Sequence, residues 1–144
     1  MPNHTRAVLD TNVLISACWS PAGLEAELVR LALARQVVWC ATEAVLAEYR
    51  EVAQRPKFSS RRDCFTKMLA DLEAVVERVE PGPESTAAMD PDDNRLLECA
   101  AGAGADWLIT GNLRHFPAEY QGTRIGNARQ FFTMGFALLN TPAF

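Results

Sequence analysis

The chain has little of what zinc, thiol or membrane chemistry requires. Its four cysteines lie far apart with no C-x-x-C pair, and its two histidines are His4 and His115, which gives little support for a zinc site. No apolar run approaches the roughly 18 residues of a membrane span. We therefore expect no thiol chemistry, no zinc and no membrane, with the cysteines as small buried hydrophobic residues in a reducing compartment.

Positive charge is also scarce. A formal net charge of −4 argues against a broad electrostatic grip on nucleic acid, which depends on clustered Lys and Arg. One local basic cluster exists, formed by Arg55, Lys57, Arg61, Arg62 and Lys67. It is equally compatible with a solvated surface and with a patch that contacts phosphate.

What remains is the composition of an ordinary globular protein, with 49% hydrophobic and 22% charged residues. A length of 144 residues fits one domain with a sizeable core. We expect a single domain over 1–144, with its core at about 6–134 and an apolar tail at 135–144. The N-terminus leads into a strand rather than a signal-peptide core, which predicts a cytoplasmic protein.

Short β-like runs alternate with longer helical patterns, which is typical of βαβ units around a parallel sheet. Strands are predicted at 6–9, 37–40 and 107–110. Thr42 is a predicted N-cap for a helix that ends near Ala53.

Three further helices follow from spacing and capping signals. Apolar residues from Phe65 to Val79 predict one long amphipathic helix, with a strand at its end as an option. Asp90 and the proline after it open another helix, which glycines close near Ala103. Asn127 caps a last helix that reaches about Met134.

One carboxylate interrupts an apolar run near the N-terminus, VLDTNVLI at 8–15. Ionised side chains are almost never buried without a partner, so Asp10 requires an explanation. Ligands of open parallel sheets gather outside the carboxyl ends of the strands, where a strand that ends at Leu9 would place Asp10. Asp10 is therefore a candidate site residue.

Two more carboxylates lie on the core-facing side of predicted helices. Asp93 precedes Leu96, Leu97 and Ala100 at helical spacing, and Glu48 lies between apolar positions of its own helix. Several carboxylates that meet around Mg²⁺ or Mn²⁺ would explain this placement, because such cations prefer oxygen ligands. A cation held in this way can activate a water for phosphodiester cleavage.

Structural explanations compete with this reading. Asp90 is accounted for by capping, Asp92 by the helix dipole, and Glu48 alone is equally compatible with a solvated helix edge. Thr110 and Asn112 are either turn residues or part of a site for phosphate or for a metal and its water.

Three further glutamates are assigned to the surface: Glu43, Glu51 and Glu98. His115 is read as a surface or capping residue. The aromatic residues of the last helix are read first as core and then as a dimer or partner surface: Phe131, Phe132 and Phe136.

Four segments in this order and spacing resemble the PIN-domain family, in particular toxin ribonucleases of the VapC type. They are VLDTNVLIS at 8–16, TEAVLAE at 42–48, DPDDNRLLECA at 90–100 and LITGN at 108–112. The resemblance covers roughly residues 6–134. It implies a three-layer α/β/α domain with a central, mainly parallel sheet.

The resemblance also implies an activity: cleavage of RNA in a pocket that binds Mg²⁺ or Mn²⁺. Asp10, Glu48 and Asp93 match the three principal acidic positions, and Asn12 and Thr110 match supporting polar positions. Asn112 replaces a fourth Asp found in many relatives. Because an amide brings no negative charge, we expect one well-held cation rather than two, or none without substrate. The basic residues of the cluster assigned to substrate are Arg55, Lys57, Arg61 and Arg62. The implied partners are an RNA substrate, a cognate antitoxin and a second copy of the chain.

Two other functions compete with the nuclease. A phosphatase would use Asp10 as a nucleophile, but the residue two positions on is Asn12 rather than an acid, and no lysine is suitably placed near Thr110. A PIN-like module that binds RNA or assembles without cleaving it finds its support in Asn112.

Overall fold

The computed structural model describes residues 5–136, and of residues 135 and 136 the backbone alone. His4, the side chain of Phe136 and residues 137–144 of the predicted apolar tail fall outside this description. Within residues 5–136, no helix is long and apolar enough to cross a membrane.

Strands and helices alternate along most of the chain. The strands are β1 (Arg6–Leu9), β2 (Val38–Ala41), β3 (Glu77–Arg78), β4 (Trp107–Ile109), β5 (Glu119–Tyr120) and β6 (Thr123–Gly126). The helices are α1 (Thr11–Trp19), α2 (Leu24–Leu33), α3 (Glu43–Ala53), α4 (Arg62–Glu73), α5 (Pro91–Ala103) and α6 (Ala128–Gln130). Short 3₁₀ turns lie at Pro56–Arg61 and Leu113–His115.

The strands form one sheet in the order β3-β2-β1-β4-β6-β5. All neighbouring pairs are parallel except β5 with β6. The chain builds outward from β1 to β3 and then crosses to the other side of β1 with β4. The order of strands therefore reverses between β1 and β4, the place where open parallel sheets bind ligands.

Residues of the two central strands are buried whichever way their side chains point. Ala7, Val8 and Leu9 of β1 are fully buried, and so are Leu108 and Ile109 of β4. A strand buried on both faces requires helices on both sides of the sheet. The predicted α/β fold with a central, mainly parallel sheet is confirmed.

The predicted helix boundaries agree with the structure where a capping residue sets them. The Thr42 hydroxyl accepts a hydrogen bond from the backbone N–H of Val45 (3.2 Å) and begins α3. Asp90 accepts from the backbone N–H of Asp92 (2.8 Å) and begins α5. Gly104 ends α5 in the left-handed conformation (φ 59°), which glycine adopts without a steric penalty.

Two predicted helices are shorter than their apolar spacing suggests. The helix predicted from Phe65 to Val79 ends at Glu73, and the strand considered at its end is present as β3, where Glu77 pairs with Cys40 of β2. The last helix begins at Asn127 as expected, yet only Ala128–Gln130 is α-helical. A π-helical turn continues it over Phe131–Phe136.

The expectation for the cysteines is wrong for two of the four. Cys18 of α1 and Cys64 of α4 form a disulfide with their Cα atoms 5.9 Å apart. Cys40 and Cys99 are free and buried as expected. Burial raises the pKa of the Cys40 thiol to about 12 and that of Cys99 to about 11, so both remain protonated at neutral pH.

A buried polar network fixes the segment before α5, and it overturns the surface assignment of Glu98. Glu98 as a whole is only 8% exposed, and its side chain accepts from the backbone N–H of Ser85 (2.9 Å) and pairs with Arg95. The Asn94 amide accepts from the N–H of Ala88 (2.9 Å) and donates to its carbonyl (2.9 Å). The start of α5, which carries Asp93, is thereby held against a fixed loop.

Candidate functional site

Asp10 lies where the order of strands reverses. Its backbone N–H donates to the carbonyl of Ile109 (2.9 Å), so the end of β1 is bound to the end of β4. The Thr110 hydroxyl donates to Asp10 Oδ2 (2.9 Å), and the residue is only 7% exposed. Burial raises the pKa of Asp10, although hydrogen bonds from Thr110 and from the backbone of Asn12 and Thr11 oppose the shift.

Asn12 and Thr110 join the two strand ends through their side chains. Asn12 Oδ1 accepts from the N–H of Gly111 (2.9 Å), and its Nδ2 donates to Thr110 Oγ1 (3.5 Å). Thr110 Oγ1 also accepts from the N–H of Asn112 (3.0 Å). The Asn112 backbone is therefore tied to the site, while the residue itself is exposed. These contacts hold Asp10 in one position at the sheet edge.

Glu48 projects from α3 toward the same edge. Its Oε2 accepts from the Thr11 hydroxyl (2.8 Å), which begins α1 directly after Asp10. Burial first, and then the negative charges of Asp92 and Asp10, raise the pKa of Glu48 to about 7 against the effect of the Thr11 hydrogen bond. Because Thr11 follows Asp10 directly, this hydrogen bond brings Glu48 close to Asp10.

Tyr49 holds α3 against β1. Its buried hydroxyl donates to the carbonyl of Leu9 and accepts from the indole N–H of Trp39 (3.3 Å). The residue after Glu48 is therefore bonded to the residue before Asp10. Sequence analysis missed Tyr49 as well as Thr11. Thr11 could have been found from its position next to Asp10. Tyr49 could not, because its hydrogen bond joins α3 to β1 and produces no pattern in the spacing of residues.

Asp93 is the third predicted carboxylate, and its side chain is 15% exposed. Burial first, and then the charges of Asp10 and Asp90, raise its pKa to about 6. The imidazole Nδ1 of His115 lies 3.6 Å from Asp93 Oδ2 and lowers that pKa when it is charged. His115 itself is an exposed residue beside the carboxylate.

Asp92 lies in the first turn of α5, as the helix-dipole explanation predicts, and its charge also acts on two of the predicted carboxylates. It raises the pKa of both Glu48 and Asp93, and it lies within hydrogen-bonding reach of Glu48. Asp90 serves as the N-cap of α5, as predicted. Its carboxylate still contributes charge to Asp93.

Hydrogen bonds thus place Asp10 and Glu48 at one edge of the sheet, and Asp92 and Asp93 of α5 lie near enough for their charges to interact with this pair. Within residues 5–136, no three or more His, Cys, Asp or Glu side chains are arranged as a ready metal-binding group. The donor chemistry nevertheless fits a hard cation, because these are oxygen ligands whose charges disfavour one another's ionisation. A bound cation would offset that repulsion.

The basic cluster lies at the junction of α3 and α4, and its members face different neighbours. Arg55 pairs with Glu51 (2.8 Å), and the charges of Glu48 and Asp92 also act on it. The other three substrate candidates have different contacts. Lys57 lies over the ring of Phe58, Arg61 over that of Trp19, and Arg62 donates to the carbonyls of Ala53 and Gln54.

The raised pKa of Glu48 predicts a pH-dependent stability in metal-free buffer. A pKa of about 7 in the folded protein, against an ordinary value of 4.5, adds stability that is fully present below about pH 4.5 and is lost as pH rises through 7. Glu48→Gln removes this dependence and keeps an acceptor for the Thr11 hydroxyl. Because Glu48 is half exposed, we expect a gain on the order of 1 kcal/mol at pH 8.

Urea unfolding in EDTA at pH 4.5 and pH 8 measures this effect. Glu51→Gln, an exposed carboxylate on the same helix, is the matched control and should not gain stability at pH 8. An equal loss of stability with pH in wild type and Glu48→Gln would contradict the expectation.

Several known proteins are similar to this chain in sequence or in fold. The family model described as PIN domain matches residues 6–114. Over 110 residues the chain is 26% identical to "Uncharacterized protein MJ1680" of Methanocaldococcus jannaschii, which covers 74% of this chain and 70% of that protein. The fold of the present chain is similar to that of a chain in the crystal structure of VapBC2 from Rickettsia felis bound to a DNA fragment from their promoter. That match has a TM-score of 0.57 and 15% identity, and it covers 85% of this chain and 98% of the other. Since the family model matches well over half of its residues, the chain belongs to the PIN-domain family.

Proposed function

We propose that the chain is a metal-dependent endoribonuclease and the toxin component of a toxin–antitoxin pair. The observation that carries the proposal is that hydrogen bonds hold Asp10 and Glu48 beside each other where β1 and β4 end. Asp92 and Asp93, in the first turn of α5, lie near enough for charge interactions with this pair. A concentration of negative charge is unfavourable for a structural role, because each carboxylate raises the pKa of its neighbours. A divalent cation turns the same arrangement into a site for phosphodiester cleavage.

Each side chain has a part in this proposal. Asp10, Glu48 and Asp93 would hold Mg²⁺ or Mn²⁺, which when bound supplies positive charge to the phosphate oxygens and acidifies a water. Thr110 and Asn12 keep Asp10 in place, and Thr11 orients Glu48 by the bonds described above. Asn112 would offer a neutral oxygen, consistent with one cation rather than two.

Basic side chains would bind the RNA backbone. Arg55 is the first candidate, because the charges of Glu48 and Asp92 act on it and it is exposed. Lys57, Arg61 and Arg62 would extend this contact along the junction of α3 and α4. Such contacts position a substrate without reading its sequence.

The proposed partners are an RNA substrate, a cognate antitoxin and a second copy of the chain. The fold shared with a chain of VapBC2 supports an antitoxin, because that structure bears the name of a two-component complex. We also propose a cytoplasmic location. The Cys18–Cys64 disulfide is unusual for this location, since disulfides are rare in reducing compartments.

The phosphatase alternative finds no support in the surroundings of Asp10. The amide of Asn12 is engaged with Gly111 and Thr110, and it supplies no acid. Both lysines of the chain lie elsewhere, Lys57 over Phe58 and Lys67 paired with Asp71 on α4 (3.1 Å). A phosphatase site without a cation near the phosphate lacks charge stabilisation.

Incubation of the purified protein with a pool of RNAs tests the proposed function. We expect cleavage with Mn²⁺ and none with EDTA, with activity restored when excess Mn²⁺ is added back. RNA binding without cleavage under all conditions would instead favour the non-catalytic module. Turnover of small phosphomonoesters in place of RNA would favour the phosphatase.

A further inference from the structure

The Cys18–Cys64 disulfide lies outside the proposed catalytic site and joins two helices. Cys18 is near the end of α1 and Cys64 is in the first turn of α4, with their Cα atoms 5.9 Å apart. A domain of 144 residues buries enough surface to fold without a disulfide. Disulfides of cytosolic proteins are usually transient and act in catalysis or redox sensing. In the proposed cytoplasmic location, this bond is therefore expected to open and close.

The two cysteines of the pair differ in their access to solvent. Cys18 is 3% exposed, whereas Cys64 is an exposed residue of α4. Cys64 also lines a cavity of about 240 Å³, together with Ala17, Val29 and Met68. Thiol–disulfide exchange begins when a thiolate attacks one of the two sulfur atoms, and the rate depends on access to that atom. An incoming thiol should therefore attack Cys64 and release Cys18.

The other two cysteines are not available for exchange with this pair. Cys40 and Cys99 are buried, and burial raises their pKa values to about 12 and about 11. The thiolate is the form that attacks a disulfide, so both thiols are inert at neutral pH. Exchange is therefore confined to Cys18 and Cys64.

Within residues 5–136, the segment that leads to Cys64 has few other attachments to α1. The Pro56–Arg61 turn contains no buried residue. Arg62 donates to carbonyls at the end of α3, so it ties the turn to α3 instead. The Arg61 guanidinium lies over the ring of Trp19 on α1 (5.0 Å), but both residues are exposed, and such a contact is weak. The disulfide is thus the main link between this segment and α1.

We propose that Cys18–Cys64 is a reversible thiol–disulfide site, reduced at Cys64 by a dithiol, and that its reduction releases residues 56–64 from α1. The first thiolate of the dithiol bonds to the Cys64 sulfur, and Cys18 leaves as a thiolate that takes up a proton. The second thiolate of the dithiol then displaces Cys64, which is protonated in turn. Two electrons pass to the protein, and the dithiol becomes a disulfide. An oxidant of the disulfide class reverses these steps.

Reduction should also weaken RNA binding, a consequence that rests on the proposed function. The released segment carries Lys57, Arg61 and Arg62, which are candidates for contact with the RNA backbone. A segment that is no longer held in place loses conformational freedom when it binds, and this loss opposes binding. The oxidised protein should therefore bind RNA more tightly than the reduced protein.

Variants that keep one cysteine of the pair test the direction of attack. The probe is dithiobis(nitrobenzoate), an aromatic disulfide that releases a coloured thiolate for each thiol it modifies. Cys64 in the Cys18→Ala variant should react at least about tenfold faster than Cys18 in the Cys64→Ala variant. The Cys18→Ala/Cys64→Ala double variant is the control, and its buried Cys40 and Cys99 should not react in the folded protein. Equal rates for Cys18 and Cys64 would overturn the proposal.

Hydrogen exchange of the wild-type chain, with and without dithiothreitol, tests the release of the segment. Reduction should speed amide exchange in residues 56–64 by about tenfold or more and leave residues 91–103 of α5 unchanged. The double variant should resemble the reduced protein, and dithiothreitol should not affect it. Exchange that does not respond to reduction would overturn the proposal. So would alkylation of Cys18 and Cys64 after equilibration with glutathione disulfide, because the bond would then not have formed.

Binding of a fluorescent single-stranded RNA in EDTA separates this proposal from the proposed function. The Kd should rise about three- to tenfold on reduction of the wild type and stay constant in the double variant. A Kd that does not depend on redox state would overturn the effect on RNA. Faster exchange on reduction in a protein that cleaves no RNA would refute the proposed function alone. Metal-dependent cleavage together with redox-independent exchange would refute the thiol–disulfide site alone.

Discussion

Asp10→Asn should lower the kcat/KM of Mn²⁺-dependent RNA cleavage by at least about 1,000-fold, equivalent to about 4 kcal/mol. Asp10 is the most buried of the gathered carboxylates, and the Thr110 hydroxyl and the backbone at the ends of β1 and β4 hold it. Asparagine has the same shape and retains an acceptor for Thr110, but it removes the charge that would bind the cation. The loss should therefore appear without unfolding.

The measurement pairs cleavage rates with urea unfolding in EDTA for Asp10→Asn and Asp93→Asn. Without metal, both variants should be at least as stable as wild type, because burial raises the pKa of both carboxyls and neighbouring negative charges add to the shift of Asp93. Asp71→Asn, an exposed carboxylate paired with Lys67 on α4, is the control and should cleave at the wild-type rate. Wild-type cleavage by Asp10→Asn would remove Asp10 from the site. Marked unfolding of Asp93→Asn in EDTA would assign Asp93 a structural role.

Asn94→Ala should destabilise the fold by about 3 kcal/mol, because it leaves buried polar groups without partners. Asn94 is 7% exposed, and its amide satisfies the N–H and the carbonyl of Ala88 and lies 3.2 Å from the hydroxyl of Ser85. Ser85 and Ala88 are themselves buried. Alanine cannot replace any of these bonds, and the loop before α5 loses its attachment to the helix.

Urea unfolding measures this loss, with Asn112→Ala as the matched deletion of an exposed amide. The control should change the free energy of unfolding by less than about 0.5 kcal/mol. An Asn94→Ala variant as stable as Asn112→Ala would mean that water replaces the lost partners and that the network does not hold the loop.

The sequence predicted the helix ends that are set by residues within the same turn. Thr42 and Asp90 begin their helices because each side chain bonds the backbone of the first turn, and Gly104 ends α5 because glycine tolerates the left-handed conformation. The helix predicted as far as Val79 ends earlier, at Glu73, because a residue distant in sequence decides its end. Pairing of Glu77 with a strand distant in sequence overrides the apolar spacing that continues past Glu73.

The same division applies to the candidate site. Asp10, Glu48 and Asp93 were identified because each is a carboxylate on an apolar pattern, and such a pattern requires an explanation wherever the residue lies in space. Glu98 was wrongly assigned to the surface, because its partner is the backbone of Ser85 in the loop before α5. Asp92 lies in the first turn of α5 as predicted, and its interaction with Glu48 depends on how α3 packs near α5.

By itself, the sequence determined the alternation of strands and helices, the family and the carboxylates that cannot be ordinary surface residues. Periodicity and capping are properties of neighbouring residues, so they can be read along the chain. The tertiary structure alone decided which strand ends meet, that Tyr49 is bonded to the carbonyl of Leu9, and that Cys18 reaches Cys64. These contacts join segments distant in sequence, and their geometry follows from how the elements pack rather than from any local pattern.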